Sequence, residues 1–284
     1  MKTGIVSTAY FHTKNPEAGL ARMKRHGYSA MDYSFIDTET PIFSASDAEF
    51  DAIMQSHRGK IEGAGIAVYQ THGPWRYPPR DGTEADQQER FEKMSRAIHG
   101  TAMLGAKYMV IHPLMPFGVG KGQDEEALLR INIDFFRRLC AVAEREGVYI
   151  CLENMPFLDF PLSTPAEILA AVKAIDHPCM RVCLDTGHCV VRSVDLGDAV
   201  RQIGGEYLCA LHVHDNDGRC DQHQLPYHGK ADWDHFTAAL KEIGYEGALS
   251  LECRIKEQMP EAIREHHEIG LAMIARTLAE KSEG

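Results

Sequence analysis

Residues 207–229 read YLCALHVHDNDGRCDQHQLPYHG. The segment begins as an apolar strand and turns abruptly polar, placing His212, His214, Asp215, Asp217, Asp221, His223 and His228 within one short span. Imidazoles and carboxylates crowded in this way suit a divalent ion such as Zn²⁺, Mn²⁺ or Fe²⁺. A strand that ends in ligands is the pattern of a site at the mouth of a barrel, and other strands must then supply the remaining ligands.

Short apolar runs alternate with longer amphipathic stretches along the whole chain. Strands are expected at 4–8, 30–34, 67–72, 108–112, 149–153, 181–185, 208–214 and 248–252. Helices are expected near 16–26, 46–64, 84–104, 124–146, 165–175, 195–204, 232–243 and 260–281. Ser46 with Glu49 three residues on, and Thr164-Pro165 before AEIL, are helix start signals. Gly27, Gly65, Gly105, Gly147 and Gly244 stand where helices should stop. Eight strand–helix units in unbroken series predict an α/β fold, a single (β/α)8 TIM barrel over residues 1–284 as one domain. No linker, repeat or low-complexity segment interrupts them.

Size and composition agree. The chain has 284 residues, 44% hydrophobic and 25% charged, close to the roughly 250 residues of such a barrel. A formal charge of −11 argues against broad binding to nucleic acid or anionic membrane. None of the eight cysteines forms a CxxC pair, and Cys151, Cys183 and Cys209 lie in apolar runs, as reduced core thiols do. No signal-peptide core opens the sequence and no apolar run is long enough to span a membrane. A cytoplasmic location is therefore expected.

The polar residues then fall in one place. Gln70-Thr71-His72, Ile111-His112, Leu152-Glu153, Leu184-Asp185, His212 and Leu251-Glu252 each put a potential ligand at the C-terminal end of a strand, the face where barrels of this kind carry their active sites. Period-two alternation sends Cys151 inward with Glu153 and Cys183 inward with Asp185, one layer below the rim. A lone histidine at a strand end is usually a hydrogen-bonded structural residue, and His72 or His112 in isolation would be read so. Carboxylates that end apolar strands are costly to bury without a partner. Three of them together, Glu153, Asp185 and Glu252, would repel each other unless a divalent cation lies between them.

In CLDTGH, Gly187 would permit a tight turn that brings His188 back over the rim; the plain alternative is a strand-to-helix turn with an Asp185 cap. His99, His177, His235, His266, His267 and His57 are expected on outer surfaces, and His12 is open between rim and surface. Trp75, in a Pro-rich loop, either stacks on a ligand or pins the loop. Arg254 and Lys256 are anion ligands or ordinary rim charges.

The motifs LEN at 152–154, LDTGH at 184–188, HVHDN at 212–216, DQHQLPYHG at 221–229 and LEC at 251–253 resemble the xylose-isomerase-like TIM-barrel superfamily, which includes sugar and sugar-phosphate isomerases and epimerases and the endonuclease IV type of apurinic-site nuclease. The resemblance follows the element order of the whole chain but identifies no substrate. Its ketose 3-epimerase branch implies one divalent metal on Glu153, Asp185, His212 and Glu252. The two glutamates would there serve as catalytic acid and base through an enediolate, and His188 as a substrate contact. Its nuclease branch implies up to three zinc ions, for which His72, His112, His188, Asp221 and His223 match the additional ligands.

The expected function is a metal-dependent sugar or sugar-phosphate isomerase or epimerase. Its substrate would meet His188, Trp75, His214 and Arg254, and the chain would form a homo-oligomer or act alone. A zinc-dependent phosphodiesterase, a keto-sugar or inositol dehydratase or lyase, and a non-catalytic sugar-binding barrel are the alternatives.

Overall fold

The computed structural model describes residues 1–35, 41–75, 77–256 and 258–283. Eight parallel strands make one sheet: β1 (Lys2–Val6), β2 (Ala30–Ser34), β3 (Ala67–His72), β4 (Tyr108–Ile111), β5 (Tyr149–Glu153), β6 (Met180–Asp185), β7 (Leu208–His212) and β8 (Ala248–Leu251). Neighbours in sequence pair in the sheet, and β8 pairs with β1. Just past β7, Val213 bridges to Leu251 and its N–H donates to the Ser250 carbonyl at 2.8 Å. That pairing joins the two remaining edges and closes the expected (β/α)8 barrel.

The helices are α1 (Pro16–His26), α2 (Asp47–Gly63), α3 (Glu84–Met103), α4 (Glu125–Glu146), α5 (Pro165–Ile175), α6 (Thr186–Val191), α7 (Leu196–Tyr207), α8 (Trp233–Glu242) and α9 (Glu261–Glu283). Their ends follow the sequence signals. Ser46 with Glu49 and Thr164 with Glu167 form reciprocal capping boxes, each satisfying otherwise orphaned backbone donors. Gly27 (φ 92°) and Gly147 (φ 68°) close α1 and α4 in the left-handed conformation that a side chain disfavours.

Inside the barrel, Val110, Cys151, Cys183 and Ala210 form a small layer of their own, so the inward thiols lie below the polar rim as alternation requires. The larger core fills the space between strands and helices, with Phe50, Phe136 and Phe236 fully buried. All eight cysteines are free. Among the described residues no helix is long and apolar enough to cross a membrane.

Three boundaries differ from expectation. The first strand ends at Val6 and Ser7–Ala9 turn as a 3₁₀ helix, so Thr8 belongs to the rim. The seventh ends at His212, and His214 lies beyond the sheet. The short helix α6 is absent from the expected helices, but it begins directly on the last residue of β6 with Asp185 as its cap, the strand-to-helix turn that was the alternative for CLDTGH.

Candidate metal centre

Because every strand runs in the same direction, their C-terminal ends share one rim. A cavity of about 570 Å³ opens there, and His72, His112, Glu153, His188, Asp221, His223 and Glu252 line it. Glu153 and Asp185 are essentially inaccessible (1% and 0% exposed), whereas the Glu252 side chain keeps 26% of its surface. Ligand atoms of Glu153, Asp185, His212 and Glu252 can all lie within 4.8 Å of one another, as can those of His72, Glu153 and His212, and of His214, Asp221 and His223.

The imidazoles are oriented in a consistent way. His72, His188 and His223 each donate Nδ1–H to a backbone carbonyl, of Gly73, Asn154 and Glu252 respectively, at 2.7 Å in every case. A carbonyl can only accept, so each ring turns Nε2 to the cavity, as a lone pair when the ring is neutral and as N–H when it is protonated. There His223 Nε2 lies 2.8 Å from Asp221 Oδ2, and His72 Nε2 lies 3.2 Å from His112 Nε2 and 3.4 Å from Glu153 Oε2. His212 is turned the other way: Nε2 lies 3.0 Å from Asp32 Oδ2, leaving Nδ1 2.8 Å from Glu153 Oε1 and 3.2 Å from Glu252 Oε2. Anchoring one ring nitrogen while aiming the other at a common point is how metal-ligating histidines are held.

The donor set fits a divalent cation by a further test. His112 Nε2 approaches Glu153 Oε2 to 2.9 Å, yet Oε2 has no aligned hydrogen-bond partner, and neither has the buried Asp221 Oδ1. Two buried carboxylate oxygens therefore stand at the centre without a hydrogen-bond donor. Burial alone would raise the Glu153 carboxyl, but the His212 and His112 rings override it and hold it well below the usual range. Burial would lower His188, yet Asp185 and Asp221 raise it to about 10; His223 rises to about 9 by its bond to Asp221 despite the same burial cost. His112, where burial dominates, is pushed down to about 4. These carboxylates demand positive charge, either as protons on His188, His212 and His223 or as a cation held by the same atoms.

Loops place the outlying members. Asp215, fully buried, accepts from the backbone N–H groups of Asn216, Gly229, Lys230 and Ala231 and from Trp233 Nε1. It folds the segment after β7 back on itself and so carries Asp221 and His223 over the rim. His223 takes φ 50°, in the left-handed region that few residues other than glycine occupy. On the other side, the buried Asp81–Arg90 pair (2.7 Å) ties the loop after β3 to β4, because Arg90 also donates to the His112 carbonyl and Asp81 accepts from Met115 N–H.

Trp75 and Arg254 line the cavity, Trp75 edge-on to His112 at 4.5 Å between centroids. His214, expected as a supporting or substrate-facing group, is not among the residues that line the cavity. It is fully buried with Nε2 on Asp185 Oδ2 at 2.9 Å. Gly187 serves that packing rather than a turn: a Cβ there would collide with the His214 ring. Asp185 turns out to be both helix cap, accepting from His188 N–H at 2.7 Å, and rim carboxylate. His12 is turned away to Ser7 Oγ and the Tyr33 ring, and His57 is half-buried on the Tyr33 hydroxyl rather than on the surface. His228 is exposed on its loop.

Asp32 and Asn154 are members that sequence reading did not single out. Asn154 clamps β5 to β6, its side chain bonding both N–H and C=O of Asp185. Asp32 lies within AMDYS, a strand with both faces covered; a carboxylate inside such a strand requires a partner, and that was the available signal.

A parallel barrel with carboxylates and imidazoles gathered on its C-terminal rim defines a class of protein, and residues 20–272 match the family model described as xylose isomerase-like TIM barrel. The chain belongs to that family. Within it, the chain is 26% identical over 263 residues to a D-psicose 3-epimerase of Agrobacterium fabrum, covering 90% of this chain and 86% of that protein. A D-psicose 3-epimerase of Ruminiclostridium cellulolyticum is 28% identical over 199 residues, 67% of this chain and 64% of the relative's length. An inosose isomerase of Bacillus subtilis is 25% identical over 155 residues, about half of each chain (52% and 54%). The solved structure of a D-psicose 3-epimerase in the presence of D-fructose superposes over 100% of both chains with a TM-score of 0.80 at 19% identity, a likeness of fold.

Proposed function

We propose that this protein is a divalent-metal-dependent isomerase or epimerase of sugars or sugar phosphates, with Glu153 and Glu252 as the proton-transfer pair. The observation that carries the reading is their arrangement. One carboxylate from β5 and one from just past β8 meet at His212 Nδ1, and both line the cavity. A substrate held between them presents one face of a carbon beside a carbonyl to each. One glutamate removes the proton from one face, giving an enediolate, and the other returns a proton to the opposite face. Glu153, Asp185, His212 and Glu252 would hold the ion, as Zn²⁺, Mn²⁺ or Fe²⁺. When bound it would polarise the carbonyl and stabilise the negative charge developing on its oxygen. Asp32 and Asn154 fix the rings and strands that carry these groups, and His188 presents Nε2 toward the substrate space. The psicose epimerases and inosose isomerases among the relatives support carbohydrate chemistry.

Separate Glu153→Gln and Glu252→Gln variants test the pairing. Each should lose about 10²- to 10⁴-fold in exchange of a substrate C–H proton with solvent, measured by NMR in D₂O on protein whose bound metal has been counted. A variant that keeps full metal and full exchange removes that glutamate from the mechanism.

One observation favours a second reading. His72, His112, His188, Asp221 and His223 also aim donor atoms into the cavity, enough for up to three zinc ions and a phosphodiesterase of the endonuclease IV type. Incision of abasic DNA by the zinc-loaded protein would establish it.

A further inference from the structure

The cavity is larger and less uniform than proton transfer on a small sugar requires. At about 570 Å³ it falls among pockets that hold drug-sized ligands, about 300–1,000 Å³, more room than the carbons of a free ketose fill. Its walls differ by side. Over β3 and β5 the wall is apolar, made by Trp75, Met155, Pro156 and Phe157, with Phe157 stacked on Tyr77 (centroids 6.0 Å, interplanar angle 17°). Those strands flank β4, and in a closed ring of eight β4 stands opposite β8. The segment after β8 carries Arg254 and Lys256, both exposed and both lining the cavity.

Arg254 and Lys256 supply the lysine and arginine side chains among the residues that line the cavity. The net charge is −11, and Arg22, Arg25, Arg58, Arg90 and Arg201 are each paired with a carboxylate. Among the described residues, neither the Arg254 nor the Lys256 side chain has an ion-pair or hydrogen-bond partner. Their place is nonetheless fixed from the backbone: Arg254 N–H donates to the His223 carbonyl at 3.0 Å, while His223 donates back to the Glu252 carbonyl at 2.7 Å. Two uncommitted positive charges thus stand at a set distance along the chain from Glu252, across the opening from an apolar wall.

We propose that the substrate carries an anionic group, a phosphate ester or a carboxylate, on the part of the sugar away from the reacting carbon, and that Arg254 and Lys256 bind it. This rests on the sugar isomerase or epimerase reading. The anion fixes which end of the sugar lies over β8, the C–H faces lie against Trp75 and Phe157, and the carbon beside the carbonyl is left between Glu153 and Glu252. A guanidinium is well matched to either anion, because its planar fork meets two oxygens at once.

The test compares a ketohexose, its terminal phosphate ester and the keto-uronic acid of the same stereochemistry, in the metal-loaded protein and in the Arg254→Gln/Lys256→Gln double variant. Two readouts are taken, kcat/KM for proton exchange and equilibrium affinity by calorimetry at two salt concentrations. The wild type should prefer one anionic sugar over the neutral one by about tenfold or more, chiefly in KM. The double variant should bring that ratio near unity and remove its salt dependence. The phosphate and carboxylate arms identify which anion is meant. Equal affinity for neutral and anionic sugars in the wild type, or a preference unchanged in the double variant, overturns the proposal. Exchange on the neutral sugar alone leaves the isomerase reading standing and removes the anion site. Anion-selective binding that depends on both residues, with no exchange on any sugar, keeps the site and removes the isomerase reading.

Discussion

Asp32 shows how much of the centre depends on a side chain that never reaches the cavity. Fully buried, it accepts from Gln70 Nε2 at 2.8 Å and faces His212 Nε2 at 3.0 Å, which obliges His212 to offer Nδ1 to the rim. Replacing it by Asn preserves the shape and removes the charge. The Asp32→Asn variant should bind Zn²⁺ or Mn²⁺ about 10- to 100-fold more weakly in a chelator competition, with its far-ultraviolet spectrum unchanged; unchanged affinity would deny Asp32 that positioning role. Gly187 makes a steric version of the same point. A methyl group there must displace the His214 ring from Asp185, so Gly187→Ala should lose about 1–3 kcal/mol in denaturant unfolding. At this scale the strand-end ligands were legible because a carboxylate ending an apolar run announces itself. The roles of His214 and Gly187 were not, because their justification is each other, across 27 residues of chain.

At the scale of elements, loops rather than strands decide where the outer ligands stand. The segment after β3 is held by Asp81, whose carboxylate joins Arg90 and the N–H of Met115 while Arg90 reaches the carbonyl of His112. Truncating one member of a buried ion pair leaves the other charge uncompensated, so Asp81→Ala should cost about 3–5 kcal/mol, read from chemical denaturation. It should also loosen His112 relative to Glu153; a loss below 1 kcal/mol would mean that water replaces the carboxylate. The helix boundaries were readable because their stop signals are local, as at Gly27 and Gly147. Helix α6 was readable only as the alternative of a capped turn at Asp185. Six residues, TGHCVV, are too few to show a period of 3.6, and Gly187 with two valines are weak helix formers. It forms because Asp185 caps it and every residue in it is buried.

For the molecule as a whole, strand alternation and the positions of the polar residues define the barrel and the face that carries chemistry. What they leave open is how many of nine candidate ligands act together, since a one-ion isomerase and a three-zinc hydrolase can be written with the same side chains. The physical difference lies in occupancy and in whether a substrate carbon loses its proton. The most direct measurement counts metal per chain on the purified protein and, on the same sample, follows deuterium entering a panel of ketoses and ketose phosphates in D₂O. Metal-dependent exchange at the carbon beside the carbonyl, sustained by one ion per chain, is the expected result. Three tightly held zinc ions with no exchange on any sugar would contradict it.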